Sequence, residues 1–237
     1  MPHHESPPMA PAIIVGKSGN SAPPPSLDEV SSILNAVYTA KTSHESVQSA
    51  YALSTLLQNS VGFRGLKGYG VVDDIKKAAV DKKNPVRREG ALNALGALFE
   101  RFPREHKLAE VVFLVQEGGL VPLALDSLSD KAAPVRESAK YALDALFENL
   151  SAEAKVVGLL PLLVQYLGKK SGKWQGAVGA FELIARMADK AKLGMESAEI
   201  EKEKDILREA MGKKLEGLIP VVEGGMHDLK SEVSILT

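Results

Sequence analysis

The 237-residue chain contains no cysteine, and this absence excludes disulfide cross-links and thiolate metal sites. Only 5% of the residues are aromatic. The formal net charge is −1, so any contact with nucleic acid must come from local patches and not from an overall basic field. No apolar run is long enough for a membrane span, and the N-terminus has no signal-peptide pattern. We therefore expect a soluble intracellular protein without a membrane partner.

The chain is rich in alanine and leucine, which recur in a repeated helical pattern. The segment RREGALNALGALFERF, residues 87–102, nearly repeats as VRESAKYALDALFENL, residues 135–150, after a shift of 48 positions. Self-similarity at a fixed spacing is typical of repeat arrays, in which each helix pair buries its apolar face against its neighbours. The pattern predicts an all-α, right-handed α-solenoid of stacked helix pairs, with Phe99 and Phe147 in a shared apolar core.

Proline divides the chain into two parts. Residues 1–25 hold seven of the thirteen prolines, and we expect a disordered Pro-rich tail there. The tail contains Gly16-Lys17-Ser18, but Pro11 occupies the place of a glycine that a phosphate-binding loop requires. Residues 26–237 are predicted to form one repeat domain of about four to five helix pairs. Because the last pair is truncated, we expect the sequence to be the N-terminal piece of a longer protein.

The turn inside each pair carries the most specific local motif. Asp81 precedes Arg87 by six residues, and Asp130 precedes Arg136 by the same spacing. This Asp…Pro-Val-Arg arrangement resembles the HEAT repeat consensus. An aspartate at such a turn can cap the second helix, or it can pair with an arginine of the adjacent repeat. We predict a structural ladder of Asp81, Arg87, Asp130 and Arg136; the alternative is that the two arginines line a binding surface.

Equivalent turns of a stacked array lie along one side of the molecule, which we call the turn edge. Basic clusters at residues 82–88, 131–136 and 169–173 would align there into a stripe. Such a stripe can contact phosphates, mostly without reading bases, although solvated turns are also commonly rich in lysine. The candidates for partner binding are Lys82, Lys83, Arg87, Arg88, Lys131, Arg136, Lys169, Lys170 and Lys173.

The remaining reactive side chains support no catalytic site. None of the five histidines has metal-ligand spacing, and no nucleophile lies near a base. We expect neither a cofactor nor a metal within these residues. The single tryptophan, Trp174, is predicted to pack in the core or between repeats, and base stacking is the alternative.

Four stretches carry a resemblance to a known family. They read DKKNPVRREGA, SDKAAPVRESAKYALDALF, GKWQGAVGAFELI and GLIPVVEGGMHDLKSEV. Together they resemble the N-terminal HEAT domain of the fungal elongation factor three family of ABC-F ATPases. The NPVRREGAL and KAAPVRESA turns are more similar to the New-type paralogue, also described as an mRNA export ATPase, than to the elongation factor itself.

The resemblance implies a cytoplasmic, monomeric, ribosome-binding module without catalysis of its own. Members of the family carry two nucleotide cassettes C-terminal to the HEAT domain, so ATP and Mg are expected only in the full-length protein. Their HEAT domain docks on small-subunit rRNA and ribosomal proteins during elongation, termination or recycling. The alternative function is a HEAT adaptor for mRNA export or for scaffolding of protein cargo.

Overall fold

The computed structural model describes residues 24–60, 66, 68–101, 115, 119–168, 173–192, 205, 206, 209 and 220, except for the side chains of residues 58–60 and 190–192. Residues 1–23 of the predicted Pro-rich tail, Lys169, Lys170 and most of the chain after residue 192 lie outside these ranges. The predicted end of the tail at residue 25 was wrong, because Pro25 is buried and its carbonyl accepts a hydrogen bond of 2.8 Å from the Tyr69 hydroxyl.

Within the described ranges, the helices form four consecutive pairs and no strand is present. The first three pairs are α1 (Leu27–Thr39) with α2 (Ser43–Ser60), α3 (Val71–Ala79) with α4 (Pro85–Glu100), and α5 (Leu120–Ser127) with α6 (Ala133–Asn149). In the fourth pair, α7 begins at Ala152–Ala154, passes through a π-helical turn at Lys155–Leu159 and continues over Leu160–Leu167, and α8 spans Trp174–Lys192. The predicted all-α solenoid is confirmed.

Side-chain caps mark the starts of α1 and α4. Ser26 accepts a hydrogen bond of 3.1 Å from the Glu29 backbone N–H and caps α1. Asn84 does the same for the Arg87 N–H at 3.1 Å, and Pro85 occupies the first position of α4. Both arrangements satisfy N–H groups that a helix start leaves without a partner. The Asn84 cap also fixes the turn that precedes α4.

The second helices of the first three pairs stack side by side, and α4 lies between α2 and α6. Ten consecutive α4 residues, Gly90 to Phe99, are buried. Phe99 is 1% exposed and Phe147, its counterpart in α6, is 0% exposed. The prediction that these two look-alike helices share one apolar core is therefore confirmed.

A glycine allows α4 to approach the first pair closely. A Cβ atom on Gly90 would lie 2.5 Å from the carbonyl oxygen of Val37, near the end of α1. No larger residue fits at this position without moving α1. The contact holds the turn between α1 and α2 beside the start of α4.

None of the helices in the described ranges has the length and apolar character that crossing a membrane requires.

Candidate docking edge

The turns within the pairs, at residues 40–42, 80–84, 128–132 and 168–173, are linked to one another along the turn edge. The first turn lies beside the second because the end of α1 contacts Gly90. Arg88, which follows the second turn, is hydrogen-bonded to Asp130 in the third.

The third turn is connected to the fourth by charge. The ammonium group of Lys173 lies near enough to Asp130 to help lower the pKa of its carboxyl group. The first three turns and Lys173, which is the described residue before α8, therefore lie along one edge.

An aspartate shapes the second and the third turn in the same way. Asp81 Oδ1 accepts hydrogen bonds from the backbone N–H groups of Lys83 at 2.9 Å and Asn84 at 3.3 Å. Asp130 Oδ1 accepts one from the Ala132 N–H at 2.9 Å. The bond from Lys83, aided by that from Asn84, lowers the pKa of the Asp81 carboxyl group. These hydrogen bonds fix the backbone of the two turns, and the adjacent Lys82 and Lys131 are exposed.

Arg88 connects the second turn to the third. Its Nε donates to Asp130 Oδ2 at 2.8 Å and its Nη2 donates to Asp130 Oδ1 at 2.9 Å, while Nη1 donates to the Asp81 carbonyl at 2.7 Å. The two side chains are only 14% and 16% exposed. Burial acts to raise the pKa of Asp130, but the bonds from Arg88 and Ala132 outweigh it and lower the pKa. This bidentate pair links the second pair of helices to the third at the edge.

The ladder prediction assigned this role to Arg87 and Arg136, and the structure corrects it. Arg87 lies 3.8 Å from Asp81 of its own turn and 5.5 Å from the centre of the Tyr38 ring. Arg136 donates to the carbonyls of Asp130 at 2.8 Å and Lys131 at 3.1 Å, also within its own turn. Successive residues of a helix point about 100° apart, so the neighbouring Arg88, and not Arg87, faces the next repeat.

The predicted binding cations divide into two sets. Arg88 is engaged in the inter-repeat pair and is not available to a partner. Arg87 is partly covered by Tyr38 and Asp81. The others in the described ranges are exposed, and they are Lys82, Lys83, Lys131, Arg136 and Lys173. Lys169 and Lys170 lie in the fourth turn but outside the described residues.

Sequence reasoning missed one exposed cation of the edge, Lys41 in the first turn. The turn sequence AKTS lacks the Pro-Val-Arg motif that marks the second and third turns. Its place became evident only from the contact between α1 and Gly90.

The aspartate ladder stops at the fourth turn. Residues 168–173 read GKKSGK and contain no acidic residue. Arg136 binds its own turn as Arg88 does, but the turn that follows offers no equivalent of Asp130. Within the described residues, Arg136 forms hydrogen bonds only to backbone carbonyls and forms no ion pair. Its guanidinium group is exposed at the edge.

Trp174 was predicted to pack in the core or between repeats. It begins α8 and is 48% exposed, so the placement in the core was wrong. The buried face of α8 includes Gly176, where a Cβ would lie 2.9 Å from the Leu125 carbonyl oxygen. Position 174 is two residues earlier and therefore about 200° around the helix axis. Val178, one turn further along α8 and on the same side as Trp174, is 41% exposed.

A second group of polar contacts ties the stacked helices together away from the turns. Tyr51 and Tyr141 both donate to Glu100, at 2.5 and 2.6 Å. Burial, together with the hydrogen bond to Glu100, raises the pKa of Tyr141, so its hydroxyl group stays protonated as a donor. These contacts connect α2, α4 and α6, the second helices of the first three pairs. In the part of the chain that the structure describes, no group of three or more His, Asp or Glu side chains could hold a metal ion.

Comparison with known proteins identifies a family of HEAT repeats. The family model described as EF3 N-terminal HEAT repeat matches residues 46–235. The mRNA export factor elf1 of Schizosaccharomyces pombe is 30% identical over 207 residues, which are 87% of this chain and 17% of that protein. Elongation factor 3 of Gonapodya prolifera is 32% identical over 150 residues, 63% of this chain and 12% of that protein.

A more distant similarity extends to the stalled ribosome sensor GCN1 of Homo sapiens, which is 34% identical over 146 residues, 59% of this chain and 5% of that protein. The chain thus spans less than a fifth of the length of these relatives. No solved structure matches the chain significantly.

Proposed function

Because the chain belongs to the EF3 N-terminal HEAT repeat family, we propose that it is a ribosome-docking module that binds rRNA phosphates and ribosomal proteins through its turn edge. The observation that carries the proposal is the alignment of exposed cations along one edge of a chain whose net charge is −1. Such a local stripe attracts a polyanion at one side of the molecule only. The names of two relatives, an elongation factor and a stalled ribosome sensor, point to the same partner.

The activity of the whole protein follows from the family and not from these residues. The chain is a HEAT repeat domain and not a catalytic fold. We propose that ATP and Mg are bound by cassettes in the full-length protein, and that this domain is monomeric, cytoplasmic and free of cofactors. ATP use elsewhere would then act on a ribosome that this domain holds.

The test is co-sedimentation with ribosomes across a salt series. Lysines that contact phosphates release counterions, so affinity should fall steeply with salt. The double variant Lys82→Glu/Lys131→Glu reverses the charge at equivalent positions of the second and third turns. Neither lysine takes part in the Arg88–Asp130 pair. We expect weaker binding and a log–log salt slope that is less steep by about 1.4 to 1.8, since each lost phosphate contact contributes about 0.7 to 0.9.

A matched pair of single variants distinguishes a local effect at the turn edge from a general effect of the changed net charge. Lys131→Glu reverses a lysine of the turn edge, and Lys140→Glu makes the same change at an exposed site within α6. Lys140 lies seven residues beyond the start of α6 at Ala133, about 10 Å along the helix. We expect Lys131→Glu to weaken ribosome binding and Lys140→Glu to bind as the wild type does.

Two results of these measurements would refute docking through the turn edge. One is an equal loss of binding in Lys131→Glu and Lys140→Glu. The other is unchanged binding of the double edge variant while its helical content is that of the wild type.

The second candidate is a HEAT adaptor for mRNA export or for protein cargo. It is favoured by the similarity to an mRNA export factor over 87% of the chain. A protein partner held by apolar and polar groove contacts would bind with little dependence on salt. Salt-insensitive capture of a protein, together with absent ribosome binding, would favour this alternative.

A further inference from the structure

Three cations and one exposed indole meet at the junction of the third and fourth turns. Arg136 donates to the Lys131 carbonyl at 3.1 Å, so these two residues are neighbours. The first turn of α8 packs against the end of α5, where a Cβ on Gly176 would lie 2.9 Å from the Leu125 carbonyl oxygen, so Lys173 and Trp174 lie beside the third turn, which contains Lys131. We call these four residues, Lys131, Arg136, Lys173 and Trp174, the indole junction.

The charge of the indole junction is positive because its acid is already neutralised. Asp130 is the carboxylate of the third turn, and both of its oxygens accept hydrogen bonds from Arg88. The fourth turn supplies no further acid, since residues 168–173 contain neither Asp nor Glu. The cations of the indole junction therefore face solvent without a competing anion from either turn.

Exposed aromatic rings beside a basic track are typical of sites that bind single-stranded nucleic acids, because unpaired bases stack on the ring while cations follow the phosphates. We propose that the indole junction binds single-stranded RNA. Trp174 stacks on an unpaired base, and Lys131, Arg136 and Lys173 contact the phosphates on either side. This inference rests on the proposed function and adds that the RNA contacted at this place is unpaired.

A protein partner fits the indole junction less well. The exposed large apolar side chains of α8 at this end are Trp174 and Val178. The same side of the helix continues with Glu182 and Asp189, which are exposed and acidic. Two apolar side chains do not make the buried core that a stable protein interface needs. Glu182 is eight residues beyond Trp174, about 12 Å along the helix, and does not oppose a phosphate near the indole.

The chain itself provides a specific reporter, because Trp174 is its only tryptophan. Three probes of similar charge are titrated into the 237-residue chain: a single-stranded RNA, a duplex RNA and inorganic polyphosphate. The single strand should quench the indole fluorescence most, since only unpaired bases can stack on the ring. Polyphosphate should bind with little quenching.

Affinities of the variants are then measured by anisotropy of a labelled single-stranded RNA. Trp174→Ala should weaken binding by about 5- to 150-fold, the range that single base–aromatic stacks show, while Trp174→Phe should keep most of the affinity. Binding of polyphosphate should be the same in both variants. Since Trp174 is half exposed, equal thermal unfolding of wild type and variants serves as the folding control.

The outcomes separate the two proposals. If Trp174→Ala binds single-stranded RNA as tightly as the wild type, stacking is refuted, while salt-dependent docking through the turn edge still stands. If Trp174→Ala loses ribosome binding but keeps its affinity for RNA, the indole contacts a protein and the inference is wrong. If the wild-type chain shows no salt-dependent binding to ribosomes or RNA, both proposals fail.

Discussion

The Arg88–Asp130 pair allows the sharpest test of how the repeats are joined. The substitution Asp130→Asn keeps the side-chain volume and an oxygen that can still accept the Ala132 N–H bond. It removes the charge that holds both Nε and Nη2 of Arg88. Arg88 keeps its bond to the Asp81 carbonyl and an uncharged bond from Nη2 to the amide oxygen, but its Nε loses the acceptor Oδ2. The variant therefore isolates the charge-assisted part of the inter-repeat contact.

The exposure of the pair determines the expected magnitude. Fully exposed pairs contribute about 0 to 1 kcal/mol, and breaking a fully buried pair costs about 3 to 5 kcal/mol. The side chains of Arg88 and Asp130 are 14% and 16% exposed, so their pair lies between these limits. We expect a loss of about 2 kcal/mol in the free energy of unfolding. For a domain of this size that loss corresponds to a melting temperature lower by about 4 to 8 °C.

The assay is urea unfolding followed by circular dichroism, arranged as a double-mutant cycle with Arg88→Met. Coupling of about 1.5 to 2 kcal/mol between the two positions is expected. Arg87→Met is the matched control, because Arg87 faces Asp81 at 3.8 Å with 38% of its side chain exposed. That variant should cost less than about 1 kcal/mol.

Two results would refute this account. Coupling below about 0.5 kcal/mol between positions 88 and 130 would show that the bidentate geometry contributes little. An equal loss of unfolding free energy in Arg87→Met and Arg88→Met would show that the bond from Arg88 to the next repeat contributes no more to stability than the contacts of Arg87. In either case the turn edge would be held by apolar stacking alone.

Two further predictions use glycine and pH. Gly90→Ala should lower the free energy of unfolding by about 1 to 3 kcal/mol, since its Cβ would lie 2.5 Å from the Val37 carbonyl oxygen. In the control Gly168→Ala the nearest atom is 3.5 Å away, so the free energy of unfolding should stay within about 0.5 kcal/mol of the wild type. Equal effects of the two variants in chemical unfolding would contradict the close approach of α4 to α1. The pKa of Asp130 is lowered by folding, so its stabilisation is complete above the unfolded value of 3.8 and is lost as the pH falls through the lower folded value. An acid titration of the unfolding free energy should therefore fall less steeply in Asp130→Asn than in the wild type, and parallel curves would contradict the assignment.

The helix pairs and their core could be predicted from the sequence because burial repeats with the period of the helix. Phe99 and Phe147 occupy equivalent places in two similar segments, and both are buried. The start of α1 was also readable, since Ser26 precedes Glu29 at capping distance. Each of these features depends on residues close in sequence or on the repeat itself, and both are visible in the amino-acid sequence.

The partner of each turn arginine could not be predicted, because it depends on the rotation of a helix by one residue. Arg87 and Arg88 are adjacent and chemically identical, and only Arg88 faces Asp130. The exposure of Trp174 was misjudged for a related reason. The glycine at position 176 and not the aromatic ring lies against α5, and such a close backbone approach leaves no hydrophobic signal in the sequence.

The distribution of acids along the turn edge explains how a chain with a net charge of −1 can present a selective basic site. The second and third turns each carry an aspartate that binds its own backbone, and Asp130 also neutralises Arg88. The fourth turn has no acid, so the free positive charge increases toward that end of the edge. At physiological salt such a field extends about 8 Å, and it therefore acts on a partner only after the fourth pair has approached it. A short-range field of this kind orients a docked polyanion, and it does not gather nucleic acid indiscriminately.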